Sequence, residues 1–102
     1  MAKERFGLDG LIPVGFQVMS LADGTAIAIN STARTGAHVL DISVETQPAR
    51  YRADGTDPTL TTGVILQKDV WHRFHGYNGT SVLAFQRTTG TAKVSIQSYK
   101  YD

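Results

Sequence analysis

The chain has 102 residues, 41% hydrophobic and 19% charged, with ten basic side chains against nine acidic ones and no cysteine. That is one globular domain's worth, able to bury roughly 65% of its unfolded surface, and a formal charge of +1 lacks the concentrated basic excess of a nucleic-acid binder. Its apolar runs are too short to span a bilayer, and the missing cysteines remove disulfide frameworks and cysteine-based zinc sites.

The first residues, Met1-Ala2-Lys3-Glu4-Arg5-Phe6-Gly7, carry charges without the apolar core and small-residue cleavage site of a signal peptide, so synthesis in a cytoplasm is expected. Gly7, Gly10 and Pro13 break any regular element. Residues 1–13 therefore read as an extended arm ahead of a β domain over residues 14–102. The arm's apolar side chains Phe6, Leu8, Leu11 and Ile12 either plug the open end of the chain's own domain or, with Arg5, dock on a neighbouring subunit.

From there on, turn pairs recur at short intervals: Asp23-Gly24, Asp54-Gly55, Asn78-Gly79. Between them lie short runs rich in β-branched and aromatic residues, and no window shows helical periodicity. The predicted strands are Gly15–Ser20, Thr25–Asn30, Val39–Glu45, Ala49–Ala53, Gly63–Leu66, Val70–Phe74, Ser81–Thr88 and Ala92–Tyr99. In Val39–Glu45, Leu40, Ile42 and Val44 share one face while Asp41, Ser43 and Glu45 share the other. Val94 and Ile96 likewise oppose their polar neighbours, so each strand has one dry face. Thr88-Thr89-Gly90-Thr91 reads as a hairpin joining the last two strands. The fold expected is all-β: a small antiparallel β-sandwich of seven or eight short strands, Ig-like or jelly-roll-like, with an extended N-terminal arm.

Most chemistry-bearing residues have a structural explanation. Asp54 and Gly55 make a turn, Asp57-Pro58 keeps the chain extended, and no Asp-x-Asp-x-Asp-Gly loop accompanies them to supply the oxygens calcium needs. His72 and His75 diverge along a strand, and with His38 they lack the clustered carboxylate of a metal site. No Gly-x-Ser-x-Gly, paired-carboxylate, phosphate-cradling or dinucleotide motif is present. The chain is therefore read as a non-enzyme with no cofactor and no small-molecule substrate. Trp71 is assigned to the core. Arg50 and Arg52 share a strand face opposite Tyr51 and point to solvent or a partner, where a planar guanidinium pairs well with carboxylates.

The stretch Ala49-Arg50-Tyr51-Arg52-Ala53-Asp54-Gly55-Thr56-Asp57-Pro58-Thr59-Leu60-Thr61-Thr62-Gly63, followed by Val64-Ile65-Leu66, by Val82-Leu83-Ala84-Phe85-Gln86 and by a Thr-Gly-Thr-Ala turn into a final strand, resembles small bacteriophage virion proteins. The likeness covers about the last two-thirds of the chain and leaves out the arm. Its Asp-Gly-x-x-Pro-Thr core also resembles a hairpin of immunoglobulin-like modules attached to chitin-degrading enzymes. The resemblance implies a structural protein of the particle, in the first place a capsid decoration or cement protein. Such a protein binds the major capsid protein or another virion protein as a homo-oligomer on the particle, without nucleic acid or membrane. Two alternatives belong beside it: a head–tail junction or tail-fibre component, and a carbohydrate-binding β-sandwich using Trp71, Tyr77 and Asn78.

Overall fold

A computed structural model describes residues 10–78 and 82–101 of the chain. Arg5, Phe6 and Leu8, three of the expected partner contacts, lie outside the described residues. The elements run β1 (Leu11–Leu21), β2 (Ile27–Ala28), α1 (Ser31–Arg34), β3 (Val39–Glu45), β4 (Ala49–Arg52), β5 (Val64–Leu66), β6 (Trp71–His75), β7 (Ala84–Arg87) and β8 (Ala92–Tyr101). They form two four-stranded antiparallel sheets, ordered β1-β8-β3-β6 and β2-β7-β4-β5. The pairs β1·β8, β2·β7, β3·β6 and β4·β5 are those of one long hairpin, and β8·β3 and β7·β4 close it on itself. Every sequential link except β4–β5 therefore crosses from one sheet to the other.

The expected alternation places the core. Leu40, Ile42 and Val44 of β3 and Val94 and Ile96 of β8 are fully buried, and they meet Phe85, Leu66 and Ala49 of the second sheet. Tyr51 and Phe74 bridge the sheets with ring centroids 5.1 Å apart. Each such side chain contributes about 1.5–3 kcal/mol on burial, against about 0.5–1.5 kcal/mol net for a hydrogen bond, so the apolar stripe decides which face of each strand turns inward.

All eight expected strands are present, β3 with the expected span and the others with shifted ends, and three expectations change. β1 begins at Leu11 rather than after Pro13: Leu11 pairs with Tyr101 and is buried in a small cluster with Val39 and Tyr99 on the outer side of the first sheet. Leu11 thus serves the chain's own domain, and Ile12 is half-buried in the same strand. Residues 88–91 do not form a hairpin, because β7 pairs with β2 and β4 while β8 pairs with β1 and β3. Gly90 does take a positive φ of 59°, but the turn carries the chain between sheets. Trp71 stands at 61% exposure instead of in the core. It opposes Ser43 on the outer parity of β3, while His72 and Phe74 take the inner one.

The short helix α1 follows from Asn30, whose Oδ1 accepts from the Ala33 N–H at 2.9 Å as an N-cap. It packs on β1 at a register shift between Pro13 and Gly15. There the buried Ser98 hydroxyl accepts from the Gly15 N–H and donates to the Gly15 carbonyl, both at 3.1 Å. A Cβ at position 15 would stand 2.4 Å from the Thr32 carbonyl oxygen. Gly15→Ala should therefore cost about 1–3 kcal/mol by forcing α1 off the strand, read as a melting point about 4–8 °C lower per kcal/mol. An unchanged melt would contradict this packing.

Candidate functional site

The two outer faces of the molecule differ. On the second sheet, Arg50 and Arg52 point outward, opposite Tyr51, as the alternation requires. Arg50 is then committed to its own chain: its Nε donates to the Leu60 carbonyl at 3.1 Å and its Nη1 to the Gly63 carbonyl at 3.2 Å. These bonds strap the long β4–β5 loop across the sheet, with the loop's own Pro58 buried and Gln86 of β7 buried beneath it. The far end of the loop reaches the β1–β2 turn, Asp57–Thr61 lining a cleft with Gly24, Thr25 and Ala26. Gly63 turns at φ 136°, with no room for a side chain between Arg50, Pro58 and Tyr51.

The turn at the root of this loop forms as its residues dictate. Arg52 makes a two-pronged ion pair with Asp54, at 3.1 and 2.5 Å. Asp54 Oδ1 also accepts from the Thr56 N–H, and Gly55 sits at φ 84°. The Arg52 guanidinium holds the Asp54 carboxyl below the usual carboxylate range. Asp57 is exposed. Of the proposed partner contacts, then, Arg50 works inside the chain and Arg52 is half-exposed at the turn.

On the first sheet, among the described residues, no loop lies over the corresponding rows. Phe16 and Val18 of β1 stand 55% and 49% exposed along one edge and Trp71 of β6 along the other. Between them the register lines up Val18–Ser95–Ser43–Trp71, Phe16–Gln97–Asp41–Arg73 and, at the end, Lys93–Glu45. Arg73 grips Asp41 with Nε–Oδ1 at 2.7 Å and Nη2–Oδ2 at 2.9 Å, and its guanidinium lies 4.8 Å from the Trp71 ring centroid. The ion pair holds Arg73 flat and so fixes the Trp71 ring in place.

Trp71, Tyr77 and Asn78 do not assemble into one platform: Tyr77 is buried in the core, where burial pushes its phenol above the usual value, and Trp71 lies at the opposite end of β6. His38 stacks on Tyr101 with centroids 4.8 Å apart, while His72 faces inward with Nε2 3.3 Å from the Gln67 carbonyl. Among the described residues no group of three or more His, Asp or Glu side chains could hold a metal ion. The residues that sequence reasoning passed over are Phe16, Val18, Lys93 and Ser95. The outward parity of β8 was legible from its alternation, but that it shares one face with Phe16 and Val18 becomes visible only once β1 and β8 are known to be neighbours.

No protein-family model matches the chain, and no curated protein matches it. Solved structures do. A cupin domain of an XRE-family transcriptional regulator from Enterobacter cloacae superposes with a TM-score of 0.54 at 17% identity, over 90% of this chain and 95% of that one. A de novo designed double-stranded β-helix gives 0.52 at 11% identity, over 81% and 96%. At such identities the likeness is one of fold: an all-β chain in two antiparallel sheets.

Two substitutions test the β4–β5 strap. Arg50→Ala should leave the domain folded but speed amide exchange and proteolysis within residues 57–63, since it removes both carbonyl anchors. Gly55→Val should cost about 1–3 kcal/mol through backbone strain alone, because no atom lies within 4 Å of its would-be Cβ. Unchanged loop exchange in the first, or an unchanged melt in the second, would contradict the geometry.

Proposed function

We propose that this chain is a non-enzymatic structural protein of a bacteriophage particle, a jelly roll that decorates the assembled capsid shell. The strand order β1-β8-β3-β6 and β2-β7-β4-β5 supports the jelly-roll reading, since rolling one long hairpin produces it. That architecture serves viral capsid proteins, lectins and cupins alike, so the fold leaves the choice to the surfaces.

One observation carries the proposal. The space between the sheets is lined by apolar side chains in mutual contact, while large apolar side chains stand outside, among them Phe16, Val18 and Trp71 on the first sheet and Val64 and Ile65 on the edge strand β5, with Leu60, Val70, Val82 and Tyr101 also exposed. Exposed apolar groups of this kind mark protein contacts. A chain that spends its interior on packing and its exterior on adhesion fits assembly better than catalysis. The Arg-Tyr-Arg-x-Asp-Gly-Thr segment supplies the virion context. It also supplies a function for itself, because Arg50, Arg52 and Asp54 stiffen the loop that shields the second sheet.

The experiment is quantitative mass spectrometry of purified particles from the source phage. A decoration protein should approach about one copy per capsid subunit, or per three subunits. About six to a few dozen copies would move it to the neck or tail. Absence from the particle would overturn the virion reading.

A further inference from the structure

We propose that the open face of the first sheet is a self-complementary surface on which two copies of this chain form an isologous dimer. The order β1-β8-β3-β6 places a natural pseudo-centre between β8 and β3. A two-fold axis there, along the mean strand direction, lays one sheet face over the other. It sets β8 against the partner's β3 and β1 against the partner's β6, row by row. Two sheets stacked this way keep their strands within about 30° of each other, as face-to-face sheets prefer.

The rows then meet with matching chemistry. Lys93 of one copy lies opposite the partner's Glu45, and Glu45 opposite the partner's Lys93, because the two residues occupy the same row on the two central strands. Within one chain both side chains are exposed, and neither makes an ion pair among the described residues. In the next row Ser95 faces the partner's Ser43, and Val18 faces the partner's Trp71. In the third, Phe16 reaches the platform of the partner's Arg73 and the partner's Trp71, while Gln97 stands over the partner's Asp41, whose charge the partner's Arg73 already neutralises. Apolar side chains thus meet at both margins, small hydroxyls meet at the centre and opposite charges meet at one end. A single isologous contact satisfies all three at once.

The other end of the face is already occupied, since Leu11, Val39 and Tyr99 bury one another there. The open part measures about 19 by 17 Å from strand spacing and rise, less than the ~800 Å² per partner of a standard interface. The dimer is accordingly weak, at the low end of protein–protein contacts. That strength suits a chain that associates only when concentrated, as on an assembling particle. The inference does not depend on the virion reading, because it concerns the purified chain.

Sedimentation equilibrium from about 5 µM to about 1 mM tests it, together with the emission of Trp71, the one tryptophan in the chain. A monomer–dimer equilibrium is expected, with Trp71 emission shifting to the blue as dimer forms. Lys93→Glu and Glu45→Lys should each weaken association about tenfold or more, and combining them should restore it. Those charges are also cross-strand neighbours within one chain, so melts at low concentration report that separate effect. Val18→Asp should abolish the dimer while leaving the dilute melt unchanged. A chain that stays monomeric to about 1 mM would overturn the proposal. So would a dimer indifferent to Val18→Asp, or one that the double charge swap fails to restore.

Discussion

The structure depends on β8 being hydrogen-bonded along both of its edges. It pairs with β1 from Leu21 to Leu11 and with β3 from Glu45 to Val39, and its inner side chains Ala92, Val94 and Ile96 are fully buried. An eleven-residue β1 can be held flat only because β8 is long enough to match it. Ser98 absorbs the one irregularity in that pairing through two bonds to Gly15, which opens the position where α1 closes the end of the fold. The second sheet has shorter strands and a two-residue β2. Its Phe85, Leu66 and Tyr51 pack into the apolar cluster shared with the first.

From that constraint follows the division between the two outer surfaces. The second sheet receives the long β4–β5 loop, strapped by Arg50, and so presents a surface made by the chain itself. The first sheet keeps an open face whose exposed aromatic and aliphatic groups have no cover in the described residues. Among the described residues, then, one outer face is covered by the chain and the other is not. The decoration role and the weak dimer are both readings of that asymmetry. They differ in reach: the dimer draws on the row-by-row chemistry of one face, while the particle role draws also on the likeness of the Ala49–Gly63 segment to virion proteins.

Much of the fold was legible in the sequence. The β3 alternation gave its span to the residue, and Asp54-Gly55 announced its turn, because both signals are local. What escaped was set by long-range pairing. Thr88–Thr91 looks like a hairpin, yet nothing local tells a turn that joins neighbouring strands from one that crosses between sheets. Thr25–Asn30 has strand-like residues, but only Ile27 and Ala28 find partners on β7, and Asn30 is drawn off as a helix cap. Trp71 looks like core by its size. Its parity opposite Ser43, known only from the β3·β6 register, turns it outward, where Arg73 and Asp41 hold it. Arg50 advertised a partner and found one in Leu60 and Gly63 of its own loop, a contact that strand periodicity does not encode.

Native-state hydrogen exchange on the full chain tests the central role of β8 most directly. Strand amides that open only with the whole domain exchange at the global unfolding free energy, while peripheral ones open earlier. The account predicts that the β8 amides, with those of β3 beside them, are the slowest in the molecule and report a single value. The amides of β2 and β5 should exchange faster through local opening. Should β8 open sub-globally while the second sheet stays protected, the fold would be organised around a different strand and the account would be contradicted.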